Sequence, residues 1–186
     1  MKILDRNGSG YVSSIIAGLD WAVKNNMQIV NMSLGTNTDV QALHNAVDAA
    51  SAAGVLLVAA AGNDGDGNPA TDNVDYPARY SSVIAVGATA SNDSIASWSS
   101  DGAEVEVSAP GVSILSAWND GYYKTISGTS MASPHAVGTL ALMLASGVAP
   151  ANARALLQTT SKDLGASDFD VFFGYGLVDA QKAVGL

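Results

Sequence analysis

The chain has 186 residues, with eight Lys or Arg against 17 Asp or Glu and a formal net charge of -9 at pH 7. That balance repels phosphate backbones, and no basic run offsets it, so nucleic acid is excluded as a partner; the lack of any Cys excludes disulfides, thiolate catalysis and cysteine metal sites. Apolar runs are broken by Gly, Ser and Asn well short of the roughly 18 residues a membrane span needs, so no membrane is expected, and the length suits one domain with a real core.

Val12, Ile15, Ile16, Leu19, Ala22 and Val23 recur at threes and fours, which predicts a helix after Gly10 with Ser9 as its cap. QIVNMSLG then reads as a short buried strand closed by Gly35. A second helix is expected over Asp39 to Ala53, with Val40, Leu43, Val47 and Ala50 on one face and Gly54 after its end. VLLVAAAGN is a near-continuous apolar run, as in a central parallel strand covered on both faces.

Asp64 to Asp75 is loop, rich in Gly, Pro and Asp. SVIAVGA is another buried strand; SIASWSS and VEVSAPG are shorter strand candidates. ILSAW and YYKTISG form a ribbon around Asn119–Gly121. Helices follow from about Ser130 to Ala145, over PANARALLQTTS, and over GLVDAQKAV with Asp179 near its start. This alternation predicts an α/β fold, a parallel sheet with helices on both faces. Such sheets bind ligands beyond the carboxyl ends of their strands, so Gly35, Gly62–Asn63 and Gly128–Ser130 are expected to converge on one edge.

Ser130 lies two residues past Gly128, at the mouth of a helix whose free N–H groups and positive end face it. A serine there can be a nucleophile whose own N–H helps hold a developing oxyanion. It can equally be a helix cap, for which Ser127, Thr129 and Ser133 compete. Asn63 ends a strand of small apolar residues, and its amide can donate to the same oxyanion or hold its own turn. Ser33–Gly35 and Ala60–Gly62 are small-residue segments that suit either an extended peptide, by edge pairing, or close strand packing.

GTSMASPH at Gly128–His135 resembles the nucleophile segment of the subtilisin-like serine proteases. NMSLG (Asn31–Gly35), VAAAGN (Val58–Asn63), YPARY (Tyr76–Tyr80), VIAVGA (Val83–Ala88) and SAPG (Ser108–Gly111) follow the family order. The resemblance runs over nearly the whole chain and implies a parallel sheet with the N-terminal part of the family fold absent. It implies a serine endopeptidase acting through an acyl-enzyme, with Ser130 as nucleophile, Asn63 as oxyanion donor and a polypeptide substrate. Ser33, Leu34, Gly35, Ala60, Ala61 and Gly62 become the walls of the cleft and of its P1 pocket, with space for a large apolar side chain. The resemblance also implies a structural calcium or sodium site on Ala78, Tyr80 and Val83 with Glu106 as carboxylate, no organic cofactor, and secretion of the full-length protein.

A serine needs a base. His44 sits within the second helix. His135 follows Ser130 by five residues on a helix, which turns it about 140° away. In the family the order is aspartate, histidine, serine, and the first two precede anything seen here. The opening MKILDRNGSG has one early Lys and no long apolar run, so it does not read as a signal peptide, and a cytoplasmic place stays open. The chain is therefore expected to be residues 1–186 of a partial peptidase domain, inactive unless completed. Its partner would be the missing N-terminal portion, in one chain or as a separate piece, or a propeptide. The alternative is a catalytically silent peptide-binding or assembly domain.

Overall fold

The computed structural model describes residues 2–185. A helix α1 (Val12–Lys24) leads into strand β1 (Ile29–Met32), helix α2 (Gln41–Ala52) and strand β2 (Leu56–Ala60). After a long loop come β3 (Val83–Thr89) and β4 (Val105–Pro110), then a ribbon of β5 (Ile114–Ala117) and β6 (Tyr123–Ile126). Helices α3 (Thr129–Ala145), α4 (Pro150–Thr160) and α5 (Ala180–Ala183) complete the chain. The four parallel strands lie in the order β1-β2-β3-β4, and β5 and β6 pair antiparallel.

The apolar runs place side chains alternately on the two faces, as strand geometry requires. Leu57, Ala59 and Ala61 pack with Leu19 of α1 and with Leu43, Val47 and Ala50 of α2. Val58, Ile84 and Val86 pack on the other face with Ala132, Ala136, Leu140 and Met143 of α3 and with Leu157 of α4. The β3 strand is buried along its whole length, as its unbroken apolar sequence predicts. Small Ala and Gly side chains along α3 let it lie close across all four strands.

Three local expectations differ from the structure. The N-cap of α1 is Tyr11 rather than Ser9, and no side chain caps that end. SIASWSS makes only one bridge, Thr89 to Ile95, because its serines turn back on the backbone: Ser99 Oγ accepts from the Ala88 N–H at 3.0 Å. The last helix shortens to Ala180–Ala183, started by Asp179, whose carboxylate accepts from the Lys182 N–H at 2.9 Å. Among the described residues, no helix is long and apolar enough to cross a membrane.

Candidate active site

The site begins with a proline. Pro134 lies inside α3 and has no N–H, so the carbonyl four residues earlier, that of Ser130, lacks its helical donor. The Ser33 hydroxyl supplies one at 2.7 Å. Asn31 Nδ2 donates to Ser33 Oγ at 3.0 Å, and Ser133 Oγ donates to Asn31 Oδ1 at 2.7 Å. The carboxyl end of β1 is thereby fastened to the first turns of α3.

A second set of bonds fastens β2 to the same turns. The Thr129 N–H donates to Asn63 Oδ1 at 3.0 Å. Buried Thr129 Oγ1 accepts from the Gly62 N–H at 3.2 Å and lies 3.1 Å from both Gly62 O and Asn63 Oδ1, donating to one of them. A main-chain N–H can only donate, so the Asn63 amide has one orientation: oxygen toward Thr129, Nδ2 away. Asn63 is exposed, and Nδ2 bonds nothing among the described residues.

Ser130 is not the cap of α3. Gly128 holds that position, Thr129 is the first helical residue, and no side chain of Gly128 exists to cap it. The Ser130 N–H and Oγ make no hydrogen bond among the described residues, and the residue is half-buried. An unused N–H and an unused carboxamide nitrogen therefore flank Thr129 at the positive end of a helix. That is the local chemistry that stabilises an oxygen gaining negative charge.

Neither histidine serves Ser130. His44 stacks on the Tyr80 ring, with centroids 4.1 Å apart. His135 borders the same cavity as Ser130, beneath the β5–β6 ribbon, but its Nδ1 is bonded to the Met131 carbonyl at 2.8 Å. No hydrogen bond joins Ser130 to either ring.

The two segments expected to wall a cleft lie at the carboxyl ends of β1 and β2. Ser33, Leu34 and Gly35 follow β1, and their N–H and C=O groups make no backbone hydrogen bond among the described residues. The other wall is different. Ala60 and Ala61 are buried; the Ala61 N–H donates to Val86 O, its carbonyl accepts from the Asp75 N–H, and Gly62 O accepts from the Ser100 N–H. Those groups are spent, because β2 is an inner strand, so Ala61 and Gly62 offer a surface rather than a pairing edge.

The four positions expected to hold a cation, Ala78, Tyr80, Val83 and Glu106, do border one cavity. Arg154 enters it. Its Nε lies 2.9 and 3.0 Å from the two Glu106 oxygens, and its Nη2 donates to Val83 O at 3.1 Å. Gln158 Nε2 adds a bond to Glu106 at 2.9 Å. Glu106 thus has a guanidinium for its counter-ion and does not fit as a metal ligand. Glu104 borders the same cavity with a buried Oε2 that bonds nothing, and burial, ahead of the Asp72 charge, pushes its acid up. Spacing gave no sign of Thr129, Arg154 or Glu104; Pro134 was the one local clue that the Ser130 carbonyl needed an outside donor.

The fold and this arrangement define an α/β protein with an unengaged serine at a helix mouth beside a fixed carboxamide. A profile of the subtilase family, peptidase S8, matches residues 1–176. The chain belongs to the subtilase family of serine proteases. It is 50% identical over 180 residues to minor extracellular protease Epr of Bacillus subtilis, covering 96% of this chain and 27% of that protein. It is 44% identical to subtilisin DY of Bacillus licheniformis, over 98% of this chain and 66% of that one. A solved lanthipeptide protease superposes with a TM-score of 0.87 at 26% identity, covering 98% of this chain and 68% of its own. The chain thus spans between about a quarter and two-thirds of the length of these proteins.

Proposed function

We propose that this chain carries the acyl-transfer part of a serine endopeptidase, with Ser130 as the nucleophile that attacks a substrate peptide carbonyl. Asn63 Nδ2 and the Ser130 N–H receive the oxyanion, and the Ser130 proton passes to a base that the described residues do not supply. One observation carries the reading: the Thr129 N–H fixes the Asn63 amide so that its donors are turned away from the protein and free. Ser33, through the Ser130 carbonyl, positions the nucleophile, and a polypeptide lies between Ser33–Gly35 and Ala60–Gly62.

Two features support completion by a further polypeptide bearing the Asp and the His: among the described residues the outer side of β1 pairs with no strand, and exposed Ala141 and Ala145 of α3 border a hollow with Gln28 and Ile29 beside it. A structural calcium or sodium ion would take Ala78, Tyr80 and Glu104, away from the reaction, because Arg154 already holds both Glu106 and the Val83 carbonyl. Secretion of the full-length protein is favoured by a relative named as extracellular, and would be checked by finding it in culture medium.

The test is a burst assay with an activated peptide ester. The chain alone gives no stoichiometric burst, and adding the N-terminal third of a related subtilisin as a separate polypeptide produces one. Ser130→Ala abolishes it. Asn63→Ala slows it by about 10²–10³, the scale known for one oxyanion donor in subtilisin rather than one obtained from this chain. A second reading, a silent peptide-binding domain, draws on the absence of any base bonded to Ser130. It prevails if the completed assembly is stably formed and still does not acylate.

A further inference from the structure

The floor of the cleft bears a charge that its walls lack. The segment Asp75–Tyr76 crosses from one wall to the other. The Asp75 N–H donates to the Ala61 carbonyl at 2.7 Å, while Tyr76 and Thr36 exchange N–H···O bonds of 2.8 and 2.9 Å. The Asp75 side chain is therefore held between the two wall segments. A Cβ built on Gly35 would lie 2.7 Å from Asp75 Oδ2, and one built on Gly62 would lie 3.0 Å from the same oxygen. One carboxylate oxygen abuts both walls; a side chain at Gly35 would displace it, while at Gly62 the φ of 120° and Ser100 Oγ, 2.6 Å from such a Cβ, call for glycine as well.

This carboxylate is unpaired. No hydrogen bond or ion pair reaches its oxygens among the described residues. Arg79, four residues on, gives its guanidinium to Asp72 and Glu104 instead. Asp75 is half-buried, and burial, then the Asp64 charge, push its acid up from the usual carboxylate range. A partly desolvated anion with no counter-ion is unfavourable, and a cation entering the cleft relieves it.

We propose that Asp75 determines the specificity of the cleft, and that the polypeptide substrate places a Lys or Arg side chain against it, at the residue whose carbonyl Ser130 attacks. The proposal rests on the protease reading above and narrows its substrate class. Small residues at Ala60, Ala61 and Gly62 admit a large side chain of any kind; the carboxylate at the floor selects a basic one over the apolar one that size alone suggests.

The test is calorimetric titration of the 186-residue chain with acetyl-Ala-Ala-Pro-Xaa-amide peptides, Xaa being Lys, Arg or Phe, at about 0.15 M salt. Lys and Arg peptides bind about tenfold more tightly than the Phe peptide, as one charge-assisted pair implies. Asp75→Asn removes that gain while the Phe peptide still binds. Moving the Lys one position toward the peptide N-terminus also loses it, which separates Asp75 from the general pull of a chain of net charge -9. A Phe peptide that binds as tightly as the Arg peptide, or an Arg preference that survives Asp75→Asn, overturns the proposal and leaves the cleft standing. If no peptide of the set binds, the cleft reading itself fails and this proposal falls with it.

Discussion

The two edges of the sheet are finished differently. At β4 the chain closes its own edge: the Tyr175 N–H donates to Glu106 O, the Ser108 N–H to Gly176 O and the Val178 N–H to Ser108 O, all at 2.8–2.9 Å. At β1 no strand follows, Ile29 and Val30 are only half-buried, and Asn31 is exposed. The helix α3 repeats the contrast. Its residues Ala132, Ala136, Leu140 and Met143 are fully buried on the sheet, while Leu142 is 54% exposed. A helix apolar on all sides is ordinarily covered on all sides. Ser130 stands between an edge that the described residues cover and an edge that they leave open.

Three substitutions sharpen that difference. The largest effect belongs to the closed edge. A Cβ on Gly174 would lie 2.3 Å from the Glu106 carbonyl, at a residue with φ of 63°. Gly174→Ala therefore parts the closing segment from β4 and costs about 3 kcal/mol or more, read as a lower midpoint in urea unfolding. Next comes Arg154→Met. It leaves the Glu106 carboxylate, in a residue only 6% exposed, without its counter-ion. The expected cost is about 2–3 kcal/mol, below the full price of a buried pair because Arg154 is partly in solvent. Thermal unfolding measures it, and a variant as stable as the parent would show that Gln158 alone suffices.

The smallest effect lies on the exposed face of α3. Leu142→Asn changes the stability of the isolated chain by about 0.5 kcal/mol or less, since the side chain is already largely in water. If a completing polypeptide covers that face, the same change weakens its capture, measured as the concentration needed to restore the burst. If Leu142→Asn destabilises the isolated chain as much as Gly174→Ala does, that face of α3 is not free.

Much of this was legible in the chain because it is local. Unbroken apolar runs located β2 and β3, threefold and fourfold spacing located α2, and Asn119–Gly121 located the turn of the β5–β6 ribbon. Composition and spacing left Ser130 and Asn63 with two roles each, and the family resemblance supplied the active ones. What stayed hidden depends on residues far apart in sequence. Thr129 reaches Gly62 and Asn63 across more than 60 positions, and Arg154 reaches Glu106 across 48. No periodicity marks such pairs. Glu106 is expected as a metal ligand from the family resemblance alone, and the structure gives this acid, second in β4, the guanidinium of Arg154 instead. Asp75 read as the last acid of a loop, and only its nearness to two glycines, 40 and 13 residues away, puts its carboxylate between the two wall segments.

The bond from Thr129 to Asn63 has a bearing on how this protein would age. Hydrolysis of the Asn63 amide to an acid replaces one nitrogen by one oxygen and leaves the oxygen that Thr129 grips untouched. The shape would survive, and so would the melting temperature. Yet the outward atom would turn from a donor into a second acceptor carrying charge, and would repel the oxyanion that the proposed role has it receive. On that proposal, the acylation burst of the completed assembly would fade on storage ahead of any loss of fold, with intact-mass spectrometry rather than calorimetry recording the change.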